Sequence, residues 1–423
     1  MTDAANRSPT SRTLGPWRSW ALVVGGAIGS AVFMMPAILV PFGTIGLLSL
    51  AAGGIGALFV ALTLGNLARR ITATGGPYAY ARAAFGDFGG FLVAWCFWIS
   101  MWTACAGMAV GFAAYLGALV PAVADSPALS IAAALSITWL VVATNVAGVR
   151  ESGIFGLVTT LLKLLPLILI GTIGLWFVDA DTLPPLNPGG GSMAWLFASA
   201  FALTFWNYVG IEAATVPAED VVQPDKTVPR ALIFGTLTVM FVYLLVAFVV
   251  MGVIPAAELA QSGAPLAEAG TRIAGYWGGA FVTAGAVVSI GGCLNVTVLC
   301  AGQSAMAASR DRVFPAVFER LGKRGTPAAS YIIVGVLVSA MVLVNYTRGM
   351  VAAYTFIVMV STLTIVVPYA FSAMAALLLD VHDRAADRAR AGQEPVYWVF
   401  LLLIGGIPVY VVVTRRNDKL QLN

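Results

Sequence analysis

The chain has 423 residues, of which 60% are hydrophobic and only 10% are charged, and its mean hydropathy is +0.91. Soluble domains carry about 25% charged residues, so this composition excludes both a soluble globular protein and a disordered one. The net charge of +4 is small, and the basic residues form no long run. Nucleic acid is therefore not expected as a partner.

Eleven apolar segments are long enough for helices that cross a bilayer, and none alternates in polarity as a barrel strand does. They are 19–42, 46–67, 90–120, 128–147, 153–178, 193–217, 231–254, 278–306, 328–346, 351–380 and 396–414. We therefore predict an all-α membrane protein with about eleven spans. Residues 1–18 are expected to form a tail, 19–380 a ten-span core, 381–395 a charged linker, and 396–423 the last span and its tail.

The basic residues indicate the orientation. A cytoplasmic N-terminus puts 17 of the 23 Lys and Arg on the inside. These are Arg7, Arg12, Arg18, Arg69, Arg70, Arg82, Arg150, Lys226, Arg230, Arg310, Arg312, Arg320, Lys323, Arg324, Arg384, Arg388 and Arg390. Only Arg272 and Arg348 fall in outside loops, so the positive-inside rule favours this orientation in a plasma membrane, here a bacterial inner membrane. The C-terminal tail has Arg415, Arg416 and Lys419, and its side stays open.

Histidine and cysteine usage argues against a metal site or a cofactor. The one histidine, His382, lies in the charged linker, and the four cysteines lie in apolar segments without CxxC spacing. Intramembrane proteases need a histidine or paired aspartates within a span, or a HExxH motif. The chain has none of these, so we do not expect an enzyme. No filter or charged ring typical of a channel occurs either.

The first and sixth spans are both interrupted by helix-breaking residues. The first has VVGGAIGSAVFMMPA at 23–37, and the sixth has FWNYVGIEAATVPAED at 205–220. In hydrocarbon, unwound backbone is tolerated only where protein, water or a ligand supplies hydrogen-bond partners. Paired breaks that each open a five-span half are typical of a transporter's binding site, where a zwitterion satisfies the freed N–H and C=O groups. Close helix packing through small residues is the alternative for each span taken alone.

Four stretches together resemble the amino acid–polyamine–organocation (APC) superfamily, especially bacterial amino acid permeases and basic amino acid/polyamine antiporters. They are GAIGSAVFMMPA (26–37), GGPYAYARAAFG (75–86), VGIEAATVPAEDVVQPDKTVPRA (209–231) and LCAGQSAMAASRDRVFP (299–315). The resemblance implies a LeuT-like 5+5 inverted repeat, with halves of about 19–178 and 193–380. The family usually has twelve spans, so one peripheral span is missing here. Whether the protein is a monomer or a homodimer therefore stays open.

The resemblance also implies a substrate site between the broken spans. Its expected members are Ala27, Gly29, Ser30, Ala31, Cys105, Trp206, Val209, Gly210 and Thr297. Amides at Gly29, Ser30 and Ala31 would hold a carboxylate, and carbonyls in both breaks would receive an ammonium group. Trp206 matches the family's gating aromatic, although a packing role is the alternative.

Lys163 lies deep in the fifth span with no acidic residue nearby in that span. A lone charge at such depth is costly and is a functional candidate by default; snorkelling is the alternative. The resemblance implies that its amine reaches the first break and stands in for the sodium ion of related transporters. Whether it exchanges a proton during transport or is a fixed cation stays open.

Glu212 is the one carboxylate well inside a predicted span. It matches the family's proton-sensitive glutamate, and a hydrogen-bonded bridge between helices is an equal alternative. Glu219, Asp220, Lys226 and Arg82 at the cytoplasmic side form either a gate network or a solvated loop.

Three positions depart from the arginine-type antiporters, which have asparagine, asparagine and tryptophan where this chain has Gly26, Cys105 and Thr297. Those antiporters generally lack the fifth-span lysine. The resemblance therefore favours a sodium-independent exchanger or proton-coupled permease for neutral amino acids that works by alternating access. An antiporter of basic amino acids or polyamines is the alternative, and a membrane sensor that does not transport is a third.

Overall fold

The computed structural model describes residues 12–322, 324–348 and 350–386. Within these residues the chain is helical, and an isolated bridge between Leu14 and Val221 is the one extended pairing. The helices are α1 (Pro16–Ala27), α2 (Ala31–Leu39), α3 (Thr44–Arg70), α4 (Pro77–Leu119), α5 (Pro121–Asp125), α6 (Pro127–Ala147), α7 (Val149–Ile173), α8 (Met193–Phe205), α9 (Pro224–Val253), α10 (Ala256–Leu259), α11 (Pro265–Arg310), α12 (Ala328–Arg348) and α13 (Met350–Ala386). The all-α prediction is confirmed.

Length and apolar composition qualify seven described helices as membrane spans, and the bent pair α1 and α2 makes an eighth. Two shorter apolar helices, Met193–Thr204 and Ala328–Val344, fall at the predicted sixth and ninth spans. The predicted span 396–414 lies outside the described residues. Several spans begin on a proline, whose missing N–H has no helical acceptor at a helix start in any case.

The two halves repeat one order of elements. Each begins with a broken span, continues with a long helix, and then has a helix with an early kink. The kinks lie at Gly86 in α4 and at Ala274–Gly275 in α11. These two helices therefore start before their apolar windows, because a short segment precedes each kink. The two halves therefore share one order of elements, and their inverted orientation stays a prediction.

The first span occupies the centre of the molecule, where α1 packs against α7, α9 and α11. Around it, buried polar side chains tie neighbouring helices together. Asn145 on α6 donates to Asn295 Oδ1 on α11 at 3.0 Å, and Asn295 donates to Ser152 O at the start of α7 at 3.1 Å. Hydrogen bonds between buried polar side chains favour the arrangement of the helices that brings them together. These contacts fix α6, α7 and α11 as a support for the first break.

Candidate functional site

The first span is unwound between Ala27 and Ala31. Ile28 has φ −81° and ψ 89°, outside the helical region, and α1 and α2 meet at 45°. Carbonyl oxygens at and before this break lose their helical donors. They need partners from other helices, because no water is available in hydrocarbon.

Lys163 is the hydrogen-bond donor for two of these carbonyl oxygens. Its side chain is fully buried, and Nζ donates to Gly25 O at 3.0 Å and to Ile28 O at 2.5 Å. An ammonium group can donate three hydrogen bonds and so suits a cluster of carbonyls. The lysine therefore contacts backbone atoms of the first break that lie 135 or more positions earlier in the chain.

Three further side chains contact carbonyl oxygens of the first break, including Ile28 O that Lys163 also binds. The Ser289 hydroxyl lies 3.1 Å from Ile28 O, and the Cys293 thiol donates to Gly26 O at 3.0 Å. The Tyr243 hydroxyl lies 2.8 Å from Ala27 O. Sequence reasoning missed all three donors. The available signal was a polar group within an apolar span, which requires a partner there.

The sixth span breaks over a longer stretch. After α8 ends at Phe205, the chain makes three short 3₁₀ turns, Trp206–Tyr208, Ile211–Thr215 and Ala218–Asp220. Gly210 lies between the first two with φ +102°, in the left-handed region that favours glycine.

Glu212 holds this second break from within. It is 1% exposed, and its Oε2 accepts hydrogen bonds from Gly210 N at 3.0 Å and from the Tyr369 hydroxyl at 2.6 Å. Among the described residues, no Lys or Arg forms an ion pair with this carboxylate. Tyr369 on α13 lies 157 positions away, and sequence reasoning did not identify it.

The two breaks touch through their glycines. A Cβ atom at Gly210 would lie 2.5 Å from Gly26 O, and one at Gly26 would lie 2.8 Å from Gly210 O. No side chain fits such a backbone contact. The Tyr243 hydroxyl lies between the breaks as well, 3.2 Å from Asn207 O.

The other predicted site residues surround this contact in part. Ser30 precedes α2 without capping it through its side chain, and Ser30, Ala31, Val209 and Gly210 stay partly accessible. Cys105 on α4 is fully buried. The remaining members are Ala27 and Gly29, which are buried, and Thr297, whose hydroxyl donates to the carbonyl of Cys293 in its own helix. The side chain of Trp206 lies outside the described residues, so its gating role stays a prediction.

Two members of the expected cytoplasmic network, Glu219 and Arg82, form ion pairs with residues outside that set. Glu219 Oε2 lies 3.5 Å from Arg310 on α11, and Glu219 Oε1 accepts from Thr74 N at 3.2 Å. Arg82 pairs with Asp311 at 3.0 Å and with Asp87 at 2.8 Å. The pairs Glu219–Arg310 and Arg82–Asp311 join separate helices and so suit a gate at this face. These side chains are partly exposed, where ion pairs are worth little singly.

Comparison with known proteins shows which proteins this chain is similar to. Residues 14–419 match the family model described as amino acid permease. The arginine/ornithine antiporter of Pseudomonas aeruginosa is 30% identical over 92% of this chain and 85% of its own length. The L-lysine transport protein of Corynebacterium glutamicum is 29% identical, with 90% and 78% covered. The putrescine transporter PotE of Escherichia coli K12 is 26% identical, with 87% and 84% covered.

Proposed function

Because the chain belongs to the amino acid permease family, we propose that it is a sodium-independent antiporter that exchanges basic amino acids or diamines by alternating access. One observation carries the substrate class: the relatives that align with about nine tenths of this chain are named for arginine, ornithine, lysine and putrescine. The sequence alone favoured neutral amino acids, with basic amino acids or polyamines as the alternative. The names of these relatives support that alternative better.

The independence from sodium rests on Lys163. Its ammonium group is hydrogen-bonded to the carbonyl oxygens of Gly25 and Ile28. Carbonyl oxygens are the kind of ligand that a hard cation prefers. A bound sodium ion there would compete with a fixed positive charge. The protein thus carries its own cation at the first break.

The substrate's polar groups have matching partners in both breaks. The start of α2 leaves N–H groups without helical acceptors, and beside Ser30 they suit an α-carboxylate. Glu212 supplies a buried carboxyl group in the other break, which can balance a cationic substrate when ionised or hold a proton in its place. In exchange, one cation or proton must be present whenever the site crosses the membrane.

A neutral amino acid remains the second candidate because of the site's own composition. Gly26, Cys105 and Thr297 would surround the substrate with smaller and less polar side chains than the matching residues of arginine-type antiporters. The Thr297 hydroxyl is already engaged with Cys293 O at 2.9 Å. A small apolar side chain would fit such a pocket.

Counterflow in proteoliposomes distinguishes these candidates. Vesicles are preloaded with unlabelled lysine, arginine, ornithine, putrescine or leucine, and entry of each labelled compound is followed in sodium-free buffer with the membrane potential clamped. We expect accumulation of basic amino acids or diamines, with no stimulation by added sodium. Accumulation of leucine alone would overturn the substrate class. Saturable binding without any exchange would instead favour a sensor.

A further inference from the structure

The end of α11 holds an arginine in a backbone position that favours glycine. Beyond the helix, Val313 N donates to Ala308 O at 3.0 Å and Arg312 N donates to Ser309 O at 2.9 Å, the two hydrogen bonds of a Schellman motif. Arg312 is the left-handed residue of this motif, with φ +63°. Glycine usually occupies that position, because a side chain crowds the backbone there. The arginine therefore carries backbone strain that a glycine would avoid, which points to a role for its side chain.

The guanidinium group of Arg312 is available to an anion. The residue is exposed, and within the described ranges it forms no ion pair, because the carboxylate of Asp311 beside it pairs with Arg82 at 3.0 Å. Arg320, at the other end of the same loop, is exposed and also has no ion pair among the described residues. Glu319 is the exposed carboxylate of this loop, so two positive charges stand against one negative charge.

Two phenylalanines between these arginines hold the loop against α4. The ring of Phe314 lies 6.1 Å from that of Phe91 and 6.0 Å from that of Trp95, and the ring of Phe318 lies 5.5 Å from that of Trp98. Both phenylalanines are only 7% exposed. Each arginine of the loop is two residues from one of these rings, no more than about 7 Å along the backbone. The packing therefore fixes both guanidinium groups beside α4.

The adjoining face of α4 is aromatic and exposed. Phe88, Phe91 and Trp95 are spaced by three and four residues, so they share one side of the helix, and they are 79%, 40% and 44% exposed. They follow the kink at Gly86, at the end of the span that the positive-inside rule assigns to the cytoplasm. Exposed aromatic rings at a span's end lie where headgroups meet acyl chains. Anionic lipids of the cytoplasmic leaflet attract basic groups at this height.

We propose that the surface formed by α4 and the loop 311–322 binds one anionic phospholipid of the cytoplasmic leaflet. Arg312 holds its phosphate, since a guanidinium group suits bidentate phosphate binding, and an acyl chain lies along the exposed aromatic rings of α4. The bound lipid steadies the loop and with it Asp311, whose pair with Arg82 joins α11 to α4 at this face. The site does not depend on which substrate the protein carries.

The test uses Arg312→Gly, which removes the guanidinium group and places the favoured residue at φ +63°. The purified full chain in detergent is titrated with phosphatidylglycerol or with phosphatidylcholine, and the midpoint of thermal unfolding is followed. We expect phosphatidylglycerol to raise the midpoint of the wild type at lower concentration than phosphatidylcholine does. In Arg312→Gly the midpoint without lipid should equal or exceed that of the wild type, while the apparent Kd for phosphatidylglycerol rises about tenfold.

These opposite signs separate lipid binding from a folding defect, and two variants sharpen the comparison. Arg312→Lys keeps the charge and should bind phosphatidylglycerol within about threefold of the wild type. Arg230→Met, at an exposed position of α9, is the control and should leave the lipid titration unchanged.

Three outcomes would overturn the lipid site. The first is an unchanged affinity for phosphatidylglycerol in Arg312→Gly, and the second is equal affinity of the wild type for the two lipids. Inorganic phosphate that raises the midpoint as much as phosphatidylglycerol would show an anion site without a lipid. A dimer that forms without lipid and is lost in Arg312→Gly would assign this surface to a second copy of the chain instead.

Discussion

The breaks in the first and sixth spans are stabilised by opposite chemistry. At the first break, donors from other helices bind the carbonyl oxygens that the unwinding leaves without helical donors. The strongest of these donors is the ammonium group of Lys163. At the sixth break, the carboxylate of Glu212 accepts from the N–H of Gly210 and from Tyr369. One break therefore depends on an amine from a distant helix, and the other on a carboxyl group of its own segment.

This difference indicates how each break can move. The first break is tied to α7, α9 and α11 through Lys163, Tyr243 and Ser289, so its shape depends on how those helices are arranged. The sixth break carries the Glu212 carboxyl group with it, and external donors reach it as well: Tyr369 donates to Glu212, and Gly75 N donates to Val216 O at 2.9 Å. The Glu212 acceptor therefore moves with its own segment, whereas the side-chain donors at the first break belong to other helices.

The largest expected effect is that of Gly210→Ala, which removes the contact between the breaks. The residue has φ +102°, and its Cβ would lie 2.5 Å from Gly26 O. A left-handed alanine costs roughly 1–2 kcal/mol before the clash is counted. We expect exchange to fall to background, measured as initial counterflow. Gly111→Ala is the control, because no atom lies within 4 Å of its Cβ position, and near-normal exchange is expected there.

Lys163→Met should follow, because it leaves Gly25 O without its side-chain donor and Ile28 O with the Ser289 hydroxyl alone. Each buried acceptor left unpaired costs about 1–3 kcal/mol, so we expect exchange to fall about 100-fold. The midpoint of thermal unfolding should fall as well. Arg230→Met, at an exposed position of α9, is the control and should leave both measurements unchanged. Normal exchange in Lys163→Met would contradict the role of the lysine at the first break.

Two substitutions of Glu212 distinguish its role as a hydrogen-bond acceptor from the role of its charge. Glu212→Gln keeps an acceptor for Gly210 N and Tyr369, so we expect the unfolding midpoint to stay close to wild type while the pH dependence of exchange flattens. Glu212→Ala removes both hydrogen bonds and should lower exchange by about thirtyfold at every pH, since each is worth about 1 kcal/mol. An unchanged pH profile in the glutamine variant would show that the carboxylate is structural only.

The smallest effect is expected for Tyr243→Phe, which removes the hydroxyl shared by Ala27 O and Asn207 O. One hydroxyl proton serves one carbonyl at a time, so the loss is about 1 kcal/mol and exchange should fall by roughly fivefold. Tyr276→Phe is the control, because Tyr276 is 76% exposed. Equal exchange rates in the two variants would mean that the breaks are not joined through this tyrosine.

The sequence alone determined the class of the protein, the positions of its helices and the places where two of them break. These features depend on local composition, because apolar length and helix-breaking residues act within a few positions of the chain. Lys163 and Glu212 were identifiable for the same reason: a charge within an apolar span is costly wherever it lies.

Tertiary structure alone decided which groups those residues meet. Lys163 reaches Ile28 across 135 positions, Glu212 meets Tyr369 across 157, and Gly26 touches Gly210 through backbone atoms that no side-chain pattern records. Such contacts arise from helix packing between distant segments, and local sequence carries no measure of that distance.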